Sequence, residues 1–144
     1  MENELAQLLN PKSRLIIEED DYLERPDISK KAIYILGNCE GFINLCHIIL
    51  YLANEAEAVI DLNKFDFVHN IIAKPVRVRS TFSEDDIWGE NGFVKVGDSD
   101  ITWSFGETNA SAIAARVHGL CYSWNHLHFD AKEKSHHSLF MAIE

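Results

Sequence analysis

The sequence predicts an α+β domain in which a mainly antiparallel sheet carries two or three helices on one face. Two observations lead to this expectation. Apolar residues recur every three or four positions between residues 37 and 57, which is the spacing of an amphipathic helix. Apolar and polar residues alternate in "PVRVRSTF" and "DITWSFG", which is the spacing of half-buried strands. The chain has 144 residues, too few for two well-packed cores, so we expect residues 1–144 to form a single domain.

The first elements are short and are separated by turn-forming residues. Residues 2–9 predict a helix that ends at Asn10 and Pro11, and residues 14–19 predict a strand that leads into an acidic loop. A second strand is expected over residues 31–37, where "KAIYILG" carries β-branched and aromatic residues. The long helix is therefore expected to follow directly from a strand.

The clearest element of the sequence is this long helix. Its apolar stripe is expected to cover the sheet and consists of Phe42, Leu45, Cys46, Ile49, Leu52 and Ala53. Its polar stripe is expected to face solvent and consists of Asn44, His47, Tyr51 and Glu55. Asn38 precedes the first turn and is expected to cap it, and Glu40 in that turn complements the helix dipole.

The second half of the sequence predicts further strands around one more helix. A hairpin is expected over residues 92–103, because "GDSD" supplies the residue types that a tight turn needs. Residues 107–119 predict a helix that is rich in alanine and ends in glycine. Residues 121–130 and 137–144 predict two more strands.

The composition excludes several classes of function. The net charge of −10 repels phosphate backbones, so no direct nucleic-acid binding is expected and a basic protein partner is favoured. No apolar run approaches the roughly 20 residues that cross a bilayer. The start, "MENELAQLLNPKSRL", lacks the features of a secretory signal. We therefore expect a cytoplasmic protein that does not bind a membrane.

The cysteines and short motifs give no sign of catalysis. Cys39, Cys46 and Cys121 form no CxxC pair, so we expect reduced core thiols rather than disulfides or a zinc site. Only Cys39, at the start of the long helix, has a physical reason for reactivity. The sequence also lacks the G-x-S-x-G and P-loop motifs. We expect no enzyme, no catalytic residues and no cofactor.

The segment "NHLHFD" raises the possibility of a binding site. If residues 121–130 form one strand, Leu127 and Phe129 point into the core, and one row of side chains points away from it. That row consists of Tyr122, Trp124, His126, His128 and Asp130. It is typical of a solvated sheet face with aromatic cross-strand pairs, and it also suits contact with a protein, a ligand or a metal. We expect no metal site, because a fourth ligand cannot be named and His136 and His137 follow in unknown register.

Two acidic segments each surround an aromatic residue. The residues are Asp20, Asp21, Tyr22 and Glu24 in the first segment, which Glu18 and Glu19 precede in the same acidic run, and Asp85, Asp86, Trp88 and Glu90 in the second. Such runs are common in solvated loops. An aromatic ring among carboxylates is also a suitable contact point for a cationic protein surface, since the acids guide the encounter and the ring supplies desolvated area.

Two further stretches carry a family resemblance. "ILGNCEGFINLCHIILYLANE" resembles the strand and GNxxGLxxLAxxLLxLA helix of small bacterial immunity proteins of polymorphic toxin systems. "HLHFD" with "KSHHSLFMAIE" resembles the HxHLD strand and the closing strand of that group. The intervening region is longer than the group's short connection, which leaves the cognate toxin open. The resemblance implies a protein that binds and blocks one toxin domain and has no catalytic residues of its own.

The sequence thus predicts a non-catalytic acidic binding protein, an immunity protein that neutralises a cognate toxin, such as a basic nuclease, by blocking its active surface. The expected contact residues are those of the two acidic segments together with Tyr122, Trp124, His126 and His128. The alternative is a small-ligand or metal-binding domain, even an enzyme, that uses the strand face of residues 122–130.

Overall fold

The computed structural model describes residues 5, 9–21, 31–55, 58–81, 92–122, 126–129 and 136–144. In chain order its elements are β1 (Leu15–Asp21), β2 (Lys31–Gly37), α1 (Cys39–Asn54), β3 (Val59–Asp61), β4 (Val68–Asn70), β5 (Val76–Thr81), β6 (Phe93–Val96), β7 (Ile101–Gly106), α2 (Ala110–Gly119), β8 (His126–Phe129) and β9 (His136–Ile143). The expected α+β class is confirmed. Neither of these two helices is long and apolar enough to cross a membrane. The helix expected over residues 2–9 lies largely outside the described residues, although Leu5 packs in the core.

The strands form one mixed sheet. Their order is β3-β5-β7-β6-β9-β2-β1-β4, and β8 also pairs with β9. The pairings of β1 with β4, β2 with β9 and β5 with β7 are parallel. The other pairings of the described strands are antiparallel, so the sheet is mainly but not purely antiparallel. β6 pairs with residues 136–137 of β9 and β8 with residues 139–142, so β9 joins the two halves of the sheet.

The two ends of the strand order lie close together. Residues 62–67 connect β3 to β4, which stand at opposite ends of the order, and residues 71–75 lead from β4 to β5. Asn70 Nδ2 donates hydrogen bonds to Asn63 Oδ1 at 3.1 Å and to the carbonyl oxygen of Lys74 at 2.8 Å. The bond to Asn63 therefore links β4, at one end of the order, to the segment that follows β3, at the other end.

The long helix α1 buries its apolar side in the hydrophobic core. Asn38 caps it as expected, since the Asn38 Oδ1 accepts a hydrogen bond from the Gly41 N–H at 2.8 Å. Glycine is required at position 41, because a Cβ there would collide with the carbonyl oxygen of Arg14. α2 packs against α1. The apolar side chains of both helices and of the inner strand faces join one hydrophobic cluster.

Asn44 departs from the expected polar stripe of α1. It is fully buried, and its Oδ1 accepts a hydrogen bond from the Asn10 N–H at 2.9 Å. Its Nδ2 donates to Ser13 Oγ at 2.6 Å and to the Asn10 carbonyl oxygen at 3.3 Å. The segment before β1 crosses the helix at this point and satisfies the amide. Asn44 is therefore an internal anchor and not a solvent-facing residue.

The cysteines also differ from expectation. Cys39 and Cys121 form a disulfide, with Cα atoms 5.1 Å apart, whereas reduced thiols were expected. The bond links the first residue of α1 to the turn after α2, and their proximity arises only when the helices pack together. Cys46 is a free and buried thiol, as expected, and burial raises its pKa from 9.0 to about 12.

Candidate functional site: the outer face of the sheet

The outer face is the sheet surface opposite the helices, in the half formed by β1, β2, β9 and β8. Strand register places two rows of side chains across it. The first row is Glu18, Tyr34, Phe140 and His128, and the second row is Ile16, Leu36, Ala142 and His126. His126 is exposed and the others are half-buried. The rows follow from strand alternation, because the neighbouring residues Ile17, Ile35 and Met141 are buried in the core.

Three rings of the first row stack on one another and form what we term the ring stack: Tyr34, Phe140 and His128. The Tyr34 and Phe140 centroids are 5.0 Å apart with an interplanar angle of 11°. The Phe140 and His128 centroids are 4.0 Å apart with an angle of 14°. The spacing matches the distance between neighbouring strands, about 4.8 Å, so the stack runs across the strands. The ring stack is thus a continuous row of aromatic rings on this face.

The alternation expected in "HLHF" is confirmed. Phe129 is buried and Leu127 packs against the core, while His126 and His128 lie on the outer face. His128 is the end of the ring stack on β8. Asp130 lies outside the described residues, as does Trp124.

Tyr122 does not belong to this face. The Cys121 N–H donates to the His118 carbonyl oxygen at 3.0 Å, and the Tyr122 N–H donates to the Gly119 carbonyl oxygen at 3.1 Å. These bonds continue the helical turn past α2 to Tyr122, and the described part of β8 is His126–Phe129. The expectation of one strand over residues 121–130 is therefore wrong at its start. Tyr122 is 80% exposed and its ring contacts His118 edge-on.

Two residues of the first acidic segment lie in β1. Asp20 stands on the outer face, because it follows Glu18 at a strand spacing of two, and Asp21 is the last residue of the strand. Glu19 has the opposite orientation, and its Oε2 lies 3.7 Å from His137 Nε2. The other acidic-segment residues lie outside the described part of the chain: Tyr22, Glu24, Asp85, Asp86, Trp88 and Glu90.

The remaining half of the sheet carries the opposite charge on the same side. Val76 and Val78 of β5 are buried, so Arg77 and Arg79 point away from the core. Arg77 Nη1 lies 2.8 Å from Asp100 Oδ2. The outer surface therefore carries carboxylates at β1 and arginines at β5, of which Arg77 is paired with Asp100, and the ring stack lies in the half that contains β1.

Among the described residues, neither a metal-binding cluster nor either of two clefts lies on the ring stack. In the part of the chain that the structure describes, no group of three or more His, Cys, Asp or Glu side chains could hold a metal ion. Two clefts in the same part, of about 390 Å³ and 470 Å³, are lined by residues outside the ring stack. Cys39, the one thiol with a physical reason for reactivity, is bonded to Cys121.

Tyr34 and Phe140 were not among the predicted contact residues, and Glu18 was predicted only as part of the acidic run that leads to Tyr22. Tyr34 lies between Ile33 and Ile35, and Phe140 lies in an equally apolar strand, so both sequences look like core strands. The only sign in the sequence that these two rings face outward was the alternation of side chains along each strand. Pairing of β2 with β9, which brings the two rings together, cannot be read from either strand.

Comparison of the chain with protein-family models, with curated proteins and with solved structures found no match.

Proposed function

We propose that this protein is a non-catalytic binding protein, an immunity protein that neutralises a bacterial toxin domain by covering its active surface. The observation that carries the proposal is the ring stack on the outer face, next to the carboxylate of Glu18. The net charge of −10 favours a basic partner, such as a nuclease domain, and disfavours nucleic acid itself.

The ring stack has the properties of an interface centre. Its rings are half-buried and packed on one another, so they lose little conformational freedom when a partner covers them. Aromatic side chains dominate the energetics of many protein interfaces, and nearby carboxylates accelerate the approach of a basic protein. A protein surface is therefore the partner that fits it best.

The segments that resemble bacterial immunity proteins adjoin the ring stack. "ILGNCEGFINLCHIILYLANE" starts at Ile35, next to Tyr34 in β2, and "HLHFD" contains His128 in β8. The resemblance thus supports an inhibitory binding function.

Cytoplasmic residence in a bacterium is part of the same proposal. Cytosolic proteins keep most thiols reduced, so trapping thiols in living cells tests cytoplasmic residence. Reduced Cys39 and Cys121 would support it, and a disulfide between them would count against it.

Two measurements with the toxin domain encoded by the neighbouring gene test the proposal. One is the binding of this protein to that domain, and the other is the protection of cells that produce the domain. Co-expression should restore growth, and association should slow as salt rises, because exposed charges are screened beyond about 8 Å at physiological ionic strength. Phe140→Ala should weaken binding by on the order of 2 kcal/mol, mainly through faster release. The matched control is Leu50→Ala, a 41% exposed residue of α1 on the opposite side of the sheet, which should leave affinity within about twofold.

His128→Ala is a second variant that keeps the Tyr34–Phe140 pair and so tests the same surface with less risk to folding. Failure to protect cells and to bind the toxin domain contradicts the inhibitory function. Tight binding that neither ring substitution weakens contradicts the assignment to the outer face.

A further inference from the structure

We infer that two copies of this chain associate through the cleft between α1 and α2, with Leu50 of each copy seated in the cleft of the other. The cleft lies on the exposed side of the helix pair, away from the ring stack, so the inference does not depend on the proposed function. It follows from three features: the composition of the two helices, the shape of the cleft and the exposure of Leu50.

The two helices are almost free of charge. Asp, Glu, Lys and Arg make up 25% of the whole chain. The 16 residues of α1 and the 10 residues of α2 include only Glu40 and Arg116 from this set. Neither residue is among the described residues that line the cleft. Helix surfaces that face water usually carry charged residues, and depletion of charge is typical of the centre of a protein interface.

The cleft is a groove of about 390 Å³ with small side chains along one wall. Ile43, His47 and Leu50 of α1 form one wall, and Ser111, Ala115 and His118 of α2 form the other. Each set has the spacing i, i+4 and i+7, so each helix turns a single stripe towards the groove. Cys46 and Ala114 are buried beneath it, where Cys46 Sγ donates a hydrogen bond to the Ala114 carbonyl oxygen at 3.3 Å. The exposed residues Ser111 and Ala115 leave room for a side chain that enters from outside.

Leu50 is a side chain that such a groove accepts. It is 41% exposed although it is large and aliphatic, so its removal from water favours association. The protruding side chain and the groove belong to the same surface. In a dimer with twofold symmetry each contact occurs twice, because the same patch of both copies faces itself. Two identical copies can therefore bury both Leu50 side chains and fill both grooves at once.

The charge of the chain favours this surface over others for contact between copies. Each copy has a net charge of −10, so contacts between acidic surfaces are opposed by repulsion. The described residues that line the cleft include no carboxylate. Because α2 is only about 15 Å long, the contact is smaller than the roughly 800 Å² per partner of a standard interface. We therefore expect a weak dimer with a Kd of roughly 10–100 µM, so that single chains prevail at about 2 µM, where unfolding is measured.

Sedimentation velocity of the full chain from about 2 µM to about 500 µM tests the inference, and the dimer fraction should rise over this range. Leu50→Lys should weaken association at least about tenfold, because it places a charge in an apolar groove. Ala115→Glu should do the same by filling the groove with a carboxylate. The matched control is Ile71→Lys, at a 69% exposed residue that does not line the cleft, which should leave the Kd within about twofold.

A mixture of Leu50→Lys and Ala115→Glu tests the reciprocal contact. In the mixed dimer one groove pairs Lys at position 50 with Glu at position 115, and the other groove keeps the original leucine and alanine. The mixed dimer should therefore form at least about fivefold more tightly than either variant with itself. A chain that stays monomeric at about 500 µM, association that survives Leu50→Lys, or a mixture that associates no better than its components overturns the inference.

Discussion

The imidazole of His128 lies face to face with the phenyl ring of Phe140, with centroids 4.0 Å apart and planes inclined by 14°. The two residues occupy directly opposed positions on neighbouring antiparallel strands, so the register alone brings the rings together. In the described part of the chain, β8 pairs only with β9. This ring contact therefore helps to hold a four-residue strand on the sheet.

Phe140→Ala should lower the free energy of unfolding by about 1–3 kcal/mol, because it removes both contacts of the middle ring together with half-buried apolar area. Urea unfolding of the purified protein measures the change. Leu50→Ala is the control and should cost less than about 1 kcal/mol. Equal losses for the two variants would mean that the rings contribute nothing beyond surface burial.

Asn44→Ala should destabilise the protein by about 1–3 kcal/mol, since it removes the acceptor of the Asn10 N–H and the donor to the Ser13 hydroxyl oxygen. Asn54→Ala, at an exposed position near the end of the same helix, should cost less than about 0.5 kcal/mol. Thermal unfolding of both variants gives the comparison. A difference near zero would show that water replaces the amide without penalty.

Reduction of the Cys39–Cys121 bond should lower the free energy of unfolding by about 2–4 kcal/mol, because the bond constrains an unfolded chain across a separation of 82 residues. Denaturant unfolding with and without a phosphine reductant measures this effect. The free energy of unfolding of Cys121→Ser should equal that of the reduced protein and should not change when reductant is added. The free energy of unfolding of Cys46→Ala should still fall on reduction. Stability that is unchanged by reduction would contradict a structural role for the bond.

Cys46 should resist alkylation by iodoacetamide at pH 8 in the folded protein and react after unfolding. Burial raises its pKa from 9.0 to about 12, so the reactive thiolate is scarce in the folded state. The raised pKa also contributes stability that is fully present below pH 9 and is lost as the pH rises towards 12. The stability of Cys46→Ala should therefore decline less steeply over this range. If the unmodified protein and Cys46→Ala lose stability equally as the pH rises, the thiol is in contact with solvent.

The features of the fold that the sequence predicted correctly are those set by the spacing of residues along the chain. The cap at Asn38 and the alternation of His126 and His128 with Phe129 follow from spacing along the chain, and both are present in the structure. The short strands β3 and β4 were not predicted. Each has three residues, which is too short for a period of two to be recognised.

Features that depend on distant contacts could not be predicted in this way. Asn44 has the spacing of a solvent-facing residue, and only the crossing segment with Ser13 makes it internal. The pairing of Cys39 with Cys121 requires the packing of two helices, and the ring stack requires the parallel register of β2 and β9. The candidate site was thus predicted through His126, His128 and the acidic run of β1, since Tyr34 and Phe140 meet these residues only after the sheet has formed.

The position of β9 has a consequence for the time at which the surface is assembled. β9 follows every other described element in the sequence, yet it lies between the two halves of the sheet and supplies the middle ring of the stack. During synthesis, β2 and β6 therefore leave the ribosome before the strand with which both pair. Contacts between residues this far apart form slowly, and strand edges that wait for a partner are prone to aggregate. The outer face is complete only after the last strand has been inserted.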